Sequence, residues 1–216
     1  MSMVQLRASS AAAKRHGVLF DNGNGQTDGT ALDTNRWVTQ GTSTGGTATY
    51  QSNGLKFSTG AAGAYSGAAR ITRNFNITDR TDIEVFGTFT TDANEPYGEV
   101  YARATMSTVD VSNGYTLRLD AIGTTYTIEK VVSFSGTGIG TATKTINAST
   151  TYGFRFRVVG TSLKARVWTG TEPSSWDIDI TDSTFTAAGK SGLSVGAGNA
   201  AVNHVITFDD ITVASP

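Results

Sequence analysis

The sequence predicts an all-β fold, a two-sheet antiparallel β-sandwich of the jelly-roll kind, on three observations. The stretch Tyr152–Trp168, YGFRFRVVGTSLKARVW, alternates between apolar and polar residues. Strand-like segments recur at roughly 8–12 residue spacing with turn residues between them, as in sandwiches and jelly rolls. No stretch carries a helical period of about 3.6 residues over a helix's length. In the central stretch Tyr152, Phe154, Phe156 and Val158 share one face and Arg155 and Arg157 the other, because successive strand residues point to opposite sides. Gly160-Thr161 can make a tight turn. The chain then returns with Leu163, Ala165 and Val167 opposite Lys164, Arg166 and Trp168. This reads as a hairpin near the middle of a sheet, its aromatic face on the core.

The other elements follow in order. Residues 1–17 read as an N-terminal arm and 18–216 as the sandwich domain. In the arm, Val4 and Leu6 could add a strand to a neighbour; simple fraying is the alternative. Val18 to Phe20 is a first strand, followed by a long polar loop that ends at Trp37. Thr47–Tyr50 and Gly54–Ser58 form a strand pair around Ser52-Asn53-Gly54. Ala68–Phe75, Asp82–Phe89 and Tyr97–Met106 are the next strands. Asn113-Gly114 signals a turn leading into YTLRLD, and Thr124–Val132 continues the meander. Gly136–Gly140 reads as a hairpin tip, before a strand over Thr141–Ile146. Trp176–Ile180, Gly192–Val195 and Val205–Val213 complete the set.

Length and composition bound the function. A chain of 216 residues is long enough for one β domain with a sizeable core. Its 17 basic and 18 acidic residues nearly cancel, which argues against a polybasic surface for nucleic acid or membrane. The absence of cysteine excludes a disulfide framework, a thiolate nucleophile and a thiolate metal site. No apolar run approaches the roughly 18 residues of a membrane span. The start, MSMVQLRASSAAAKRHGV, lacks an apolar segment of secretory length, and Lys14, Arg15 and His16 follow the small-residue run instead of preceding it. The expectation is a chain that stays where it is made unless lysis or a particle carries it out.

The series FDNGNGQTDGTALDTNRW, GEVYARA, NGYTLRLD, YGFRFRVVGTSLKARVW, a Trp–Asp strand, GKSGLSV and TFDDITV resembles a concanavalin A-like (laminin-G-like) jelly roll. It is similar in particular to the versions found in minor tail and other virion proteins of actinobacterial bacteriophages. The resemblance covers roughly residues 18–214 and rests on strand order and spacing. It implies a virion structural protein, in a tail or decorating a capsid, made in the host cytoplasm. The displayed lectin-like domain would adhere to host-surface glycans, and the arm would join it to other virion proteins in an oligomer. A stand-alone carbohydrate-binding module is the alternative, with a glycoside hydrolase of the same fold behind it.

The resemblance also supplies candidate residues. Hydrolases of this fold carry an E-x-D-x-x-E or E-x-D-x-E run that puts carboxylates on one sheet face, and this chain has none. Its nearest acidic cluster is Asp92, Glu95 and Glu99, read as a loop; Asp177 and Asp179 read as strand-face solvation; His16 and His204 read as surface or turn residues. No catalytic group is therefore expected. The family often holds a structural calcium between its first and last strands, which points to Asp21, Asp209 and Asp210, with Asp28 and Asp33 as further oxygen donors. The competing reading is that these acids cap turns and blunt an edge. Tyr97, Tyr101 and Tyr126, with Tyr50 and Tyr65, are candidate platforms for stacking sugars, against ordinary packing in cross-strand pairs. Trp37, Trp168 and Trp176 read as core or rim packing. GTGIG and GLSVGAGNA lack the lysine and following helix of a phosphate loop.

Overall fold

A computed structural model of the chain describes residues 17–42, 46–59, 69–93, 96–107, 110–121, 123–197 and 203–216. The strands in chain order are β1 (Gly17–Asp21), β2 (Trp37–Thr42), β3 (Thr47–Gln51), β4 (Gly54–Ser58) and β5 (Ala69–Phe75). Next come β6 (Ile83–Thr91), β7 (Pro96–Met106), β8 (Val111–Asp120), β9 (Thr125–Val132) and β10 (Ser135–Thr143). The last are β11 (Tyr152–Val159), β12 (Ser162–Trp168), β13 (Ile178–Thr181), β14 (Lys190–Ala197) and β15 (Val205–Ala214). No helix occurs among the described residues. One sheet runs β13-β12-β11-β6-β15-β4-β3, with β1 as an eighth strand on β15; the other runs β10-β9-β8-β7-β14-β5-β2.

The core forms where the inner faces meet. Phe57, Phe89, Phe154, Phe156 and Phe208 of the eight-stranded sheet are buried against Val100, Leu117, Leu119, Leu193 and Val195 of the seven-stranded one. Phe208 meets Phe57 edge-on at 5.5 Å between ring centroids, and Phe154 at 6.3 Å. Such T-shaped pairs align the positive ring edge with the negative face. Gly98 of β7 faces inward, where an added Cβ would come within 3.3–3.4 Å of Ile206 and Phe208. The absent side chain lets the sheets approach there.

Most of the expected strands form, and β1 does lie beside β15, with Asp21 opposite Ile211. The hairpin of β11 and β12 pairs from Gly153–Trp168 to Val159–Ser162 across the Gly160 turn. Ser52 and Asn53 both take positive φ, 51° and 64°, as the tight turn between β3 and β4 requires. Two expectations are corrected. Asn113-Gly114 lies inside β8, at an irregularity in its pairing with β7. Gly114 is needed there because a Cβ would stand 2.8 Å from the Ala104 backbone. The segment 136–140 belongs to β10, and the β9–β10 turn is Ser133-Phe134, at φ 50° and 67°. The polar loop does end at Trp37, which is buried in the core with its ring 5.2 Å from Phe75 and opens β2, a strand outside the expected set. The arm lies outside the described residues except Gly17, which opens β1.

Truncating the core face should be far costlier than truncating the outer one. Phe154→Ala is expected to cost about 3–5 kcal/mol of unfolding free energy. Lys164→Ala, which loses only a surface ion pair with Asp179, should cost under about 1 kcal/mol. Urea denaturation of the two variants checks the assignment of faces.

Candidate ligand-binding site

Strand alternation sends a second set of side chains out of the seven-stranded sheet. Across β7, β8 and β9 the register sets Glu99 beside Arg118, Tyr101 beside Thr116, and Thr116 beside Glu129. A depression of about 170 Å³ opens over these positions, lined by Glu99, Thr116, Arg118, Glu129, Asp110 and Phe134 among others. Thr116 Oγ1 donates to Glu129 Oε2 at 3.5 Å. The Glu129 carboxylate lies over Gly136, where a Cβ would stand 2.9 Å from Oε2. Arg118 pairs with Asp120 at 3.3 Å and covers the Tyr97 ring at 4.1 Å from its centroid.

The rim is aromatic. Phe134 is 58% exposed, an unusual position for a phenylalanine. Its turn is fastened to the start of β8, where the Phe134 amide donates to the Ser112 carbonyl at 3.0 Å and the Ser133 amide to Asn113 Oδ1 at 3.1 Å. The site therefore offers one exposed aromatic face, several carboxylates, a guanidinium and a hydroxyl. That set can stack a flat apolar surface and hydrogen-bond a polyhydroxylated one.

The tyrosines expected as platforms sit elsewhere. Tyr101 and Tyr126 are buried and Tyr97 is 6% exposed, so none presents a ring face for stacking. Tyr101 donates to Asn74 Oδ1 at 2.6 Å. Tyr97 leans on Gly196, where a Cβ would stand 2.4 Å from its Cζ, beneath Arg118. Tyr126 donates to Asp177 Oδ2 at 2.5 Å, and the same oxygen accepts the Val167 amide at 3.3 Å. Asp177 thereby ties β9 of one sheet to β12 of the other, and Asp179 pairs with Lys164 at 2.8 Å. His204 is buried, not on the surface. Glu99 stands on β7 and not on a loop. Tyr65, Glu95 and His16 lie outside the described residues.

The acids expected to share a calcium are likewise separated by function. Asp21 is fully buried and saturated by donors: Oδ1 accepts the Gly23 amide at 3.1 Å and Arg36 Nη1 at 2.9 Å. Its Oδ2 accepts Trp37 Nε1 at 2.7 Å and the Tyr50 hydroxyl at 3.0 Å. Asp210 is exposed at φ 51°, and its amide donates to Asp209 Oδ1 at 2.8 Å. Asp28 accepts the Ser52 amide at 2.7 Å, and Asp33 accepts both nitrogens of Asn35 at 2.9 Å. These are turn and network roles. Among the described residues no three acidic or histidine side chains converge as a metal site would need.

A third inter-sheet pair joins Tyr115 of β8 to Asp182, just past β13, at 2.6 Å. Burial pushes the Tyr50 and Tyr115 phenols up to about 12 and Tyr126 further still. Burial alone would raise the Asp182 carboxyl, yet hydrogen bonds from Tyr115, Thr184 and Lys130 outweigh it and hold the group well below the usual carboxylate range.

Two predictions follow from these networks. Asp21→Ala leaves three buried donors unsatisfied, the Gly23 amide, Trp37 Nε1 and the Tyr50 hydroxyl, at about 1–3 kcal/mol each, so a loss of roughly 3–9 kcal/mol is expected. The loss should be equal with added Ca²⁺ and with chelator, read from urea midpoints. The phenols bind their protons more tightly in the folded state, so their share of stability is full below about pH 10 and falls as pH rises through 12. The Asp182 carboxylate is the reverse case: its share is full above about pH 4 and is lost as pH falls. Melting temperature against pH should show both limbs, and Asp182→Asn should flatten the acid one.

No family model matches the chain, and no curated protein matches it in sequence. Solved structures do match in shape. The carbohydrate binding module CBM66 from Bacillus subtilis is 19% identical, over 83% of this chain and 95% of that one, with a TM-score of 0.64. SCLam, a non-specific endo-beta-1,3(4)-glucanase from family GH16, is 11% identical over 91% and 89%, with a TM-score of 0.65. The Ca²⁺-bound exoplasmic/lumenal domain of VIP36 is 13% identical over 83% of each chain, with a TM-score of 0.58. None of these three is named as a virion protein. At such identities the likeness is one of fold: this chain is a jelly-roll β-sandwich of the concanavalin A-like kind.

Proposed function

We propose that this domain binds carbohydrate through the outward face of the seven-stranded sheet and does not hydrolyse it. The observation that carries the reading is Phe134, an exposed ring fixed at the rim of a polar depression that contains Glu129, Arg118 and Thr116. The apolar side of a sugar ring stacks on such a face, while neighbouring hydroxyls hydrogen-bond the carboxylate and guanidinium. Fold neighbours named as a carbohydrate binding module and a glucanase support the ligand class by analogy alone. Binding is preferred to catalysis because the sequence has no compact carboxylate run on one strand. A place on a virion, with the arm as its anchor, is carried by the sequence resemblance; co-sedimentation of the chain with particles tests it.

The decisive experiment is a glycan array followed by calorimetry on the best oligosaccharide. Phe134→Ala should weaken binding at the depression at least tenfold and leave melting nearly unchanged, since the ring contributes little to the core. Glu129→Gln should weaken it several-fold. Binding at full strength in both variants would remove the site. Release of reducing ends from the bound glycan would overturn the non-catalytic assignment.

A further inference from the structure

The opposite face of the sandwich carries a second aromatic surface. Alternation sends Trp168 of β12, Gly153 of β11, Thr88 of β6 and Asp209 of β15 out of the eight-stranded sheet. The registers place the four side by side in one row. Three strand spacings make that row roughly 14 Å long.

The indole lies flat on the row. A Cβ on Gly153 would stand 2.3 Å from Trp168 Cε2, 2.5 Å from Cζ2 and 2.6 Å from Nε1. Cε2 is bonded to both of the other atoms, so near-equal distances to all three put the point above the ring plane and not beside its edge. The indole thus rests on the β11 backbone through one face, an arrangement that only glycine admits. Its second face is turned away from the sheet, and Trp168 is half-buried. Tyr97 also lies on a glycine, but Arg118 closes over it at 4.1 Å from its centroid, whereas Arg166 stands 5.9 Å from the Trp168 centroid.

The flanks of the row are defined. On one side the segment after β12 folds back over the neighbouring positions, because Glu172 accepts Arg155 at 2.6 and 3.0 Å and Arg166 Nε at 2.9 Å. Arg166 also donates to the Ser174 carbonyl at 3.1 Å and lies 4.4 Å from the Trp176 ring centroid. These two cations are matched by Glu84 and Glu172, so the wall carries little net charge. On the other side Thr90 and Thr151 share a hydrogen bond at 3.1 Å and present hydroxyls.

We infer that the Trp168 row is a second carbohydrate-binding site, which takes a neutral oligosaccharide laid across β12, β11 and β6. A pyranose ring rests its apolar face on the outward side of the half-buried indole, and its hydroxyls meet Thr88, Thr90 and the Asp209 carboxylate. The compensated charges select a neutral ligand over an acidic or basic one. The site lies on the other sheet from Phe134 and does not depend on the depression being a site. With both occupied, one domain would hold two glycan segments, and the second contact would form at the high effective concentration of a tethered ligand.

The test uses the full chain and a panel of neutral gluco-, manno-, galacto- and fructo-oligosaccharides. Binding is followed by tryptophan fluorescence and by the Trp168 Nε1–H resonance, the latter in the proteins that keep Trp168. At least one oligosaccharide is expected to shift that resonance and to do so equally in Phe134→Ala. Trp168→Ala in the Phe134→Ala background should weaken the remaining binding at least tenfold, and Trp168→Phe, which keeps a smaller ring, should weaken it several-fold. Loss on Trp168→Ala with no effect of Phe134→Ala would sink the depression and keep this site. Loss on Phe134→Ala with none on Trp168→Ala or Trp168→Phe would sink this one, as would a Trp168 resonance unmoved by every oligosaccharide in the panel.

Discussion

The buried carboxylate of Asp21 is the constraint on which one end of the sandwich depends. Three of its four partners are side chains: Arg36, Trp37 and Tyr50. Asp21 and Tyr50 belong to the eight-stranded sheet, and Trp37 opens β2 of the seven-stranded sheet. A single side chain therefore holds the two layers together and also fixes the polar loop between β1 and β2. A buried charge is tolerable only when its lone pairs are filled, which is why the acid cannot double as a calcium ligand. Tyr126–Asp177 and Tyr115–Asp182 repeat the device elsewhere, each joining β9 or β8 to the region of β12 and β13. The tyrosines suit the task because the ring packs with the apolar core while the hydroxyl reaches an acid beyond it.

With the layers tied by these pairs and by the phenylalanine core, the outward faces are left to other chemistry. Glycines shape both. Gly153 makes a bed for Trp168, Gly196 one for Tyr97, and Gly136 leaves room for the Glu129 carboxylate. In each case the missing Cβ lets a neighbouring strand's side chain lie down on the sheet instead of standing up from it. The two rings differ by what comes next above them: Arg118 closes the Tyr97 ring at 4.1 Å from its centroid, whereas Arg166 stands 5.9 Å from the Trp168 centroid.

The sequence made the fold legible because the strand period survives burial. YGFRFRVV keeps its Phe and Arg on opposite sides, and the observed hairpin has the predicted faces. The candidate site residues were less legible for a physical reason. Alternation says which residues share a face; it does not say whether that face is wet. Tyr97, Tyr101 and Tyr126 were read as exposed from residue type, yet Tyr101 points outward and is still covered, and Tyr126 points inward to reach an acid on the other layer. Phe134 was hidden because the glycines at 136–140 suggested the hairpin tip, whereas the turn needs positive φ at Ser133 and Phe134. That conformation is uncommon for a bulky residue, and composition gave no sign of it.

The strand course of the glycines at 136–140 and that of Asn113-Gly114 have a common source. In both, a local signal lost to the geometry of neighbouring strands. Gly138 and Gly140 sit within β10 because β9 offers it a ladder from Thr125 to Val132. Asn113-Gly114 stays extended because β7 runs close against it. A turn-forming pair is a preference of order one kilocalorie per mole, while a ladder adds a net contribution at every hydrogen bond, about 1 kcal/mol each. Two or three ladder bonds are thus enough to override it. The same arithmetic marks where sequence reading succeeds in this chain. Ser52-Asn53 and Gly160 form turns because the strands on either side pair with each other, so local preference and ladder agree. Where they disagree the ladder wins, and Phe134, in the turn that results, is left exposed.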